Sequence, residues 1–230
     1  MKGGGRPPKP LMCQCGDCQR PIARGETFCE FHKRNGCRIG SPVTGWEPEY
    51  NPDLYNKDKA IQHSHNCLAY AMGVMDPEKI ALCREKGDCR FHVAGKTKLF
   101  PDSKKSREQS CSDVVMRTMA DVEEGYMSTY TNKCKEGFSK IYVLVDEEND
   151  LHYVRQNPDG TWSDKPGGRP VRNIDGAGAR VWAPHRAHWY FPAENSNDTE
   201  LNYDSSCGYM CVPRDHPIVL KGGKTKRKTR

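Results

Sequence analysis

Between residues 13 and 45 the chain carries Cys13, Cys15, Cys18, Cys29, His32 and Cys37 but almost no periodic aliphatic residues. Such a stretch cannot bury enough apolar surface to offset the entropy of ordering it, so it folds on a metal ion or on cross-links. Cys15-x-x-Cys18 and Cys29-x-x-His32 are two knuckles, each able to present two ligands to one ion, and four such ligands are what tetrahedral Zn²⁺ takes. The expected site is therefore a structural zinc on Cys15, Cys18, Cys29 and His32. Cys18, Cys29, His32 and Cys37 make a second credible set, and Cys13 is a further candidate. A zinc with four protein ligands does no chemistry, which leaves docking to protein or nucleic acid as the segment's expected role.

The chain has twelve cysteines in 230 residues. In a reducing compartment they read as metal ligands and as reactive or buried thiols before they read as disulfides. Cys83 and Cys89 with His92, and Cys207 with Cys211, offer a second metal site or two cross-links. Cys207 and Cys211 lie one turn apart if helical, whereas Cys111 and Cys134 carry no assignment.

The formal charge of +6 is concentrated at the ends: Lys2, Arg6 and Lys9 in residues 1–10, and Lys221, Lys224, Lys226, Arg227, Lys228 and Arg230 in residues 221–230, with no acid in either stretch. The body between is mildly acidic. Basic Gly/Lys/Arg arms stay solvated and can grip acidic protein surfaces or a nucleic-acid backbone by charge alone. No stretch approaches the ~20 apolar residues of a membrane span, and "MKGGGRPPKPLM" lacks the apolar region of a signal peptide. The expectation is a chain with no membrane span that is not secreted.

After the cysteine-rich segment the hydrophobic period is first helical. Leu68, Ala71, Met72 and Met75 recur at i, i+3, i+4 and i+7 behind Asn66 as N-cap, and "SDVVMRTMADV" reads as a second helix capped by Ser112 or Asp113. Short β-branched and aromatic runs then predict strands over 140–145, 151–156, 160–164 and 179–184. Helices followed by antiparallel strands indicate an α+β fold. "RQNPDGTW" suits a type I turn with Pro158 at its second position and Gly160 in the left-handed site of a bulge. With that bulge, Asp164 shares a face with His152; without it, Asp164 points the other way.

A cysteine at a helix N-terminus has its thiolate favoured, the more so beside an imidazole. Cys67 occupies such a place, and His152, in mid-strand, is the best partner, with Asp164 on the next strand to orient it. Ser64 and Asn66 are candidate oxyanion or capping groups.

"HNCLAYAMG", "KIYVLVDEENDLHYVRQNPDGTWSDKPGG" and "VRNIDGAGARVWAP" together resemble a papain-like thiol hydrolase domain related to the NlpC-type cell-wall peptidases. The leading knuckle and "LNYDSSCGYMCVPR" resemble the form found in uncharacterised proteins of large DNA viruses of algae and amoebae. The likeness spans roughly residues 13–214. It implies a papain-like core, a helix-borne Cys packed on an antiparallel sheet, with Cys67 as nucleophile and His152 as base. Asp164 stands where relatives read His in Trp-Ser-His-Lys-Pro-Gly; a carboxylate can take the orienting role, and Asp175 is the reserve.

The organisation expected is a basic flexible arm (1–12), a zinc module (13–45), a papain-like domain (46–212) and a basic tail (213–230). The implied function is a cysteine peptidase or amidase of a large DNA virus, acting on a peptide or amide substrate in the virion or host cytoplasm. The alternative is a non-catalytic minor capsid component whose zinc module and tails dock neighbouring capsid proteins or nucleic acid.

Overall fold

A computed structural model describes residues 7–95, 110–196 and 198–220. The charged ends 1–6 and 221–230 lie outside the described residues, so the basic arms have only their inner parts in view.

Among the described residues six helices come first and the sheet follows. They are α1 (Glu30–Asn35), α2 (Pro52–Asn56), α3 (Lys59–Ser64), α4 (Cys67–Met72), α5 (Pro77–Lys86) and α6 (Cys111–Asp121). The strands are β1 (Tyr126–Ser128), β2 (Phe138–Asp146), β3 (Asp150–Gln156), β4 (Trp162–Asp164), β5 (Tyr190–Phe191), β6 (Leu201–Asn202) and β7 (Ser205–Pro213). Five strands form an antiparallel sheet in the order β1-β7-β2-β3-β4, and β5 pairs with β6 beside it. The fold is α+β. No helix among the described residues is long and apolar enough to cross a membrane.

The period-2 alternation of β2 divides the core in two. Ile141, Val143 and Val145 pack with Leu68, Ala71, Val114, Tyr153 and Met210 beneath α4 and α6. Tyr142 and Leu144 pack on the opposite face with an aromatic cluster that includes Trp162, Trp189, Tyr203 and Tyr209. α4 is seated by Arg155, which donates to Tyr70 O at 2.9 Å and stacks its guanidinium 3.8 Å from the Tyr70 ring centroid.

Two expectations are corrected. Residues 179–184 are not a strand: Arg180 makes an isolated bridge with Ile174, and Val181 bonds once to Trp162 and once to Asn173, which is too little pairing for a ladder. The cap of α6 is Ser110, whose Oγ accepts from Asp113 N–H; neither Ser112 nor Asp113 is the cap, since the helix already begins at Cys111.

The closing segment "SSCGYMCVP" is a strand, so Cys207 and Cys211 are not a helical turn. β7 carries a bulge: Val143 faces Gly208 and Leu144 faces Ser206, which leaves Cys207 as the extra residue. The bulge re-aims Cys207, which bonds Cys111 of α6, whereas Cys211 bonds Cys134. Cys83 bonds Cys89 and Cys15 bonds Cys37. Eight cysteines are therefore cross-linked, contrary to the expectation of ligands and thiols first. His92 belongs to no metal-ligating cluster among the described residues; its Nε2 lies 3.2 Å from Asp76 Oδ2.

The chain ends of the body are fixed further out than expected. Met12 bridges Pro21, and Leu11 O accepts from Ile22 N–H, so both belong to the cysteine-rich module. At the other end Leu220 is buried in the core beneath α4 and α6, and Arg214 donates to Ser139 Oγ and Ala71 O. Arg214 and Leu220 are thus anchored on the body.

Loop-closure entropy ranks the cross-links. The Cys111–Cys207 bridge spans 96 residues and the Cys83–Cys89 bridge six, corresponding to about 5 and about 2 kcal/mol respectively on the chain-entropy account. Replacing both Cys111 and Cys207 by Ser is expected to lower the urea midpoint more than replacing Cys83 and Cys89, as followed by circular dichroism.

Candidate active site and metal centre

Asn66 has extended backbone, and its Oδ1 accepts from Ala69 N–H at 3.3 Å while its Nδ2 donates to His92 O at 2.9 Å. This cap starts α4 at Cys67. Both ends of the Asn66 amide are engaged, and Ser64 Oγ is committed to Ala60 O and His65 Nδ1. Neither side chain serves as an oxyanion donor. The group available is the backbone N–H of Cys67, which lies in the first helical turn and has no acceptor within the helix.

The Cys67 thiol is buried, and its Sγ lies 4.0 Å from Leu151 O. β4 pairs only with Val154–Gln156 of β3, so the preceding half of β3 is not covered by a neighbour on that side. There the α4 N-terminus meets His152. A cleft of about 490 Å³ opens at this point, with Phe91, Val93, Leu151, Gly168 and Tyr203 among its walls beside Cys67 and His152. A second trough of about 410 Å³ continues from His152 past Arg169, Arg172, Phe191 and Thr199.

The turn that joins β3 to β4 sets the third group. Asn157 N–H donates to Thr161 O at 2.8 Å, Gly160 N–H donates to Asn157 O at 3.0 Å, and Gly160 has φ 81°. Positive φ at that position is what glycine provides. The resulting register places Asp164 opposite Val154, on the His152 face. His152 Nε2–H donates to Asp164 Oδ2 at 2.7 Å, with both side chains almost fully buried. This leaves Nδ1 for exchange with the thiol.

Burial opposes the imidazolium, but the hydrogen bond to Asp164 and the neighbouring Cys67 thiol outweigh it and raise the His152 pKa to about 10. Burial likewise opposes the Asp164 carboxylate, and Arg172 together with His152 holds its pKa below the ordinary value. The pair is an imidazolium–carboxylate couple at neutral pH. Tyr203 and Trp189 flank the imidazole, with ring centroids 5.3 and 6.0 Å away.

Asp175, the reserve orienting group, is elsewhere: its carboxylate accepts from the N–H groups of Ala177, Ala179 and His188 and holds a loop together. His65 is also structural. Burial and nearby His92 lower its pKa to about 4, so the neutral ring accepts from Asp76 N–H at 2.9 Å. Arg172, Tyr203 and Trp189 escaped the sequence reading because they come from irregular segments far along the chain.

In the cysteine-rich module Cys13, Cys18, Cys29 and His32 bring their ligand atoms within 4.8 Å of one another. Cys13 Sγ and Cys29 Sγ lie 3.2 and 3.5 Å from His32 Nδ1, and Cys18 Sγ lies 3.9 Å from Cys29 Sγ. Metal–sulfur bonds of ~2.3 Å in a tetrahedron put sulfurs about 3.8 Å apart, so the quartet fits a metal ion. Cys15 is not a member, contrary to the knuckle spacing, and neither is Cys37. The tight turn closed by Cys18 N–H to Cys15 O lets Cys13 and Cys18 converge, while Cys15 is tied to Cys37.

The module is welded to the body. Gln14 Oε1 accepts from the N–H groups of Trp182 and Ala183, Arg186 donates to Cys13 O and Cys18 O, and Trp182 Nε1–H donates to Ile39 O. A Cβ on Gly40 would lie 2.8 Å from the Trp182 ring, so the close approach requires glycine.

No protein-family model, curated protein or solved structure matches this chain.

Metal content measured by mass spectrometry is expected to fall from one equivalent to none in Cys13→Ser and Cys29→Ser and to persist in Cys15→Ser. A separate test concerns pH. Because the folded-state pKa of His152 is raised to about 10, its stabilising contribution is complete below the unfolded value of ~6.5 and is lost as pH climbs toward 10. The stability difference between wild type and His152→Gln, measured by urea unfolding, should therefore shrink from pH 6 to pH 9.

Proposed function

We propose that the chain is a papain-like cysteine hydrolase that cleaves a peptide or amide bond. The observation that carries this reading is that Cys67 of α4 and His152 of β3 line one cleft while His152 donates to the buried Asp164 of β4 at 2.7 Å.

In the reacting form the proton of the Cys67 thiol is held on His152 Nδ1. Cys67 Sγ attacks the carbonyl carbon, and the negative charge that develops on oxygen meets the Cys67 N–H at the start of α4. The His152 Nδ1 proton passes to the leaving nitrogen, and the C–N bond breaks to leave a thioester. Neutral His152 then takes a proton from water, which adds to the thioester carbonyl and releases the acid and the thiolate. Asp164 remains ionised throughout and keeps Nε2–H engaged.

The metal centre is proposed to be zinc, on the strength of its three-thiolate, one-imidazole donor set. It is structural, with all four positions filled by protein. The proposed setting is the virus particle: the resemblance suggests viral origin, and four disulfides persist more readily outside a reducing cytosol.

The test uses full-length, metal-loaded protein and a fluorophosphate-free electrophilic thiol probe, with labelling of Cys67 read by peptide mass spectrometry. Labelling should vanish in Cys67→Ser and fall by roughly 10²–10⁴ in His152→Ala. A Cys67 rate that is unchanged in His152→Ala would favour the non-catalytic capsid reading instead.

A further inference from the structure

We propose that Arg172 is a positioning residue of this site, a fixed cation that keeps Asp164 ionised and aimed while His152 changes charge, a role that rests on reading Cys67, His152 and Asp164 as hydrolytic machinery. The geometry is bidentate and doubled by the backbone. Arg172 Nε lies 3.2 and 3.1 Å from the two Asp164 carboxylate oxygens, and a terminal guanidinium nitrogen lies 3.1 Å from Oδ2. The two residues also exchange backbone hydrogen bonds, N–H to O at 2.9 Å in each direction. Behind the guanidinium the Phe191 ring stacks at 4.4 Å, which limits the planes it can adopt.

The need for a second partner follows from the reaction. Asp164 is fully enclosed, with 1% of its side chain exposed. A carboxylate so placed is costly unless it is paired. His152 supplies positive charge only while it is protonated, and the cycle takes that proton away when the leaving group departs. At that stage Arg172 is the remaining cation on Asp164. A guanidinium does not titrate in the working range, so the carboxylate has no incentive to take the proton itself. The bidentate fork also fixes the carboxylate plane, and with it the direction in which His152 Nε2–H must point.

The other charged or titratable groups around the pair are engaged elsewhere among the described residues. Tyr203 donates to Asp150 Oδ2 at 2.7 Å, Lys165 donates to Gln62 O and Gly167 O, and Arg169 pairs with Glu194. Tyr50 feels the Asp164 charge, and its phenol, raised chiefly by burial, stays protonated. Cys67 faces the pair from α4. Of all these, Arg172 alone shares the Asp164 carboxylate with His152.

The experiment is the pH dependence of Cys67 alkylation by iodoacetamide, read by peptide mass spectrometry on the full-length, metal-loaded protein. Without the fixed cation Asp164 accepts a proton at higher pH. The imidazolium then loses its counter-ion, and the thiolate is lost with it. The acid limb of the rate profile should therefore move up by about one pH unit or more in Arg172→Gln, and Arg172→Lys should recover most of that displacement. If Arg172→Gln does not fold, Phe191→Leu, which removes the stacking behind the guanidinium, should move the limb by a smaller amount in the same direction.

A uniform loss of rate with an unmoved limb, or equal displacement in the Gln and Lys variants, overturns the role of Arg172. An acid limb in wild type that matches an ordinary thiol and ignores His152→Ala overturns the hydrolase reading itself, which separates the two failures.

Discussion

A carboxylate with almost no exposed surface governs this site. Asp164 is enclosed on the sheet face that carries the aromatic cluster, and burial of a charge there is tolerable only because His152 and Arg172 both reach it. The requirement propagates outward. Arg172 must come from the loop after β4, held by the paired backbone hydrogen bonds between residues 164 and 172. His152 must lie two residues before the first β3 position that β4 covers. Both conditions descend from the register of one hairpin.

That hairpin does two jobs with adjacent residues. Strand alternation sends Ser163 and Asp164 to opposite faces. Ser163 Oγ meets Tyr70 of α4 at 2.7 Å and donates to Asn157 Oδ1 at 2.6 Å, so the turn, the strand and the helix bearing Cys67 are tied at one hydroxyl. Asp164 meets His152. A slip of one residue would exchange the two faces, losing the helix anchor and the imidazole partner together. The position of Cys67 relative to His152 is thus fixed by the same short strand that supplies the acid.

The parts of this arrangement visible in the sequence were those dictated by local stereochemistry. Asn157-Pro158-Asp159-Gly160 specifies its turn through the proline φ and the glycine at positive φ, and Asn66 specifies a helix start through its amide oxygen. Both therefore point to the residues they position. Pairings that depend on the path of the chain were not visible. Cys15-x-x-Cys18 has the spacing of a knuckle, yet the turn within it gives Cys13 to the metal quartet and Cys15 to Cys37. Cys207 and Cys211 look equivalent at four residues apart until a bulge in β7 sends them to different partners. Arg172 sits in a loop with no periodic pattern, and only the depth of Asp164 shows why a cation is needed there.

The cysteine-rich module acts on the same region from the far side. Its contacts fall on residues 180–186, where Gln14 holds the N–H groups of Trp182 and Ala183, Thr27 donates to Arg180 O and Arg186 reaches back to Cys13 O and Cys18 O. That segment has no ladder of its own, and these hydrogen bonds add to those that Val181 makes with Trp162 and Asn173. It runs directly into Trp189, beside the His152 ring, and Phe191, beneath the Arg172 guanidinium. A metal ion bound in the quartet would therefore brace a strip of irregular chain whose far end, at Phe191, lines the trough beside His152. The same geometry ties the module to the body, with the Arg24 and Thr27 side chains donating to Gly176 O and Arg180 O and Cys13 O accepting from Arg186.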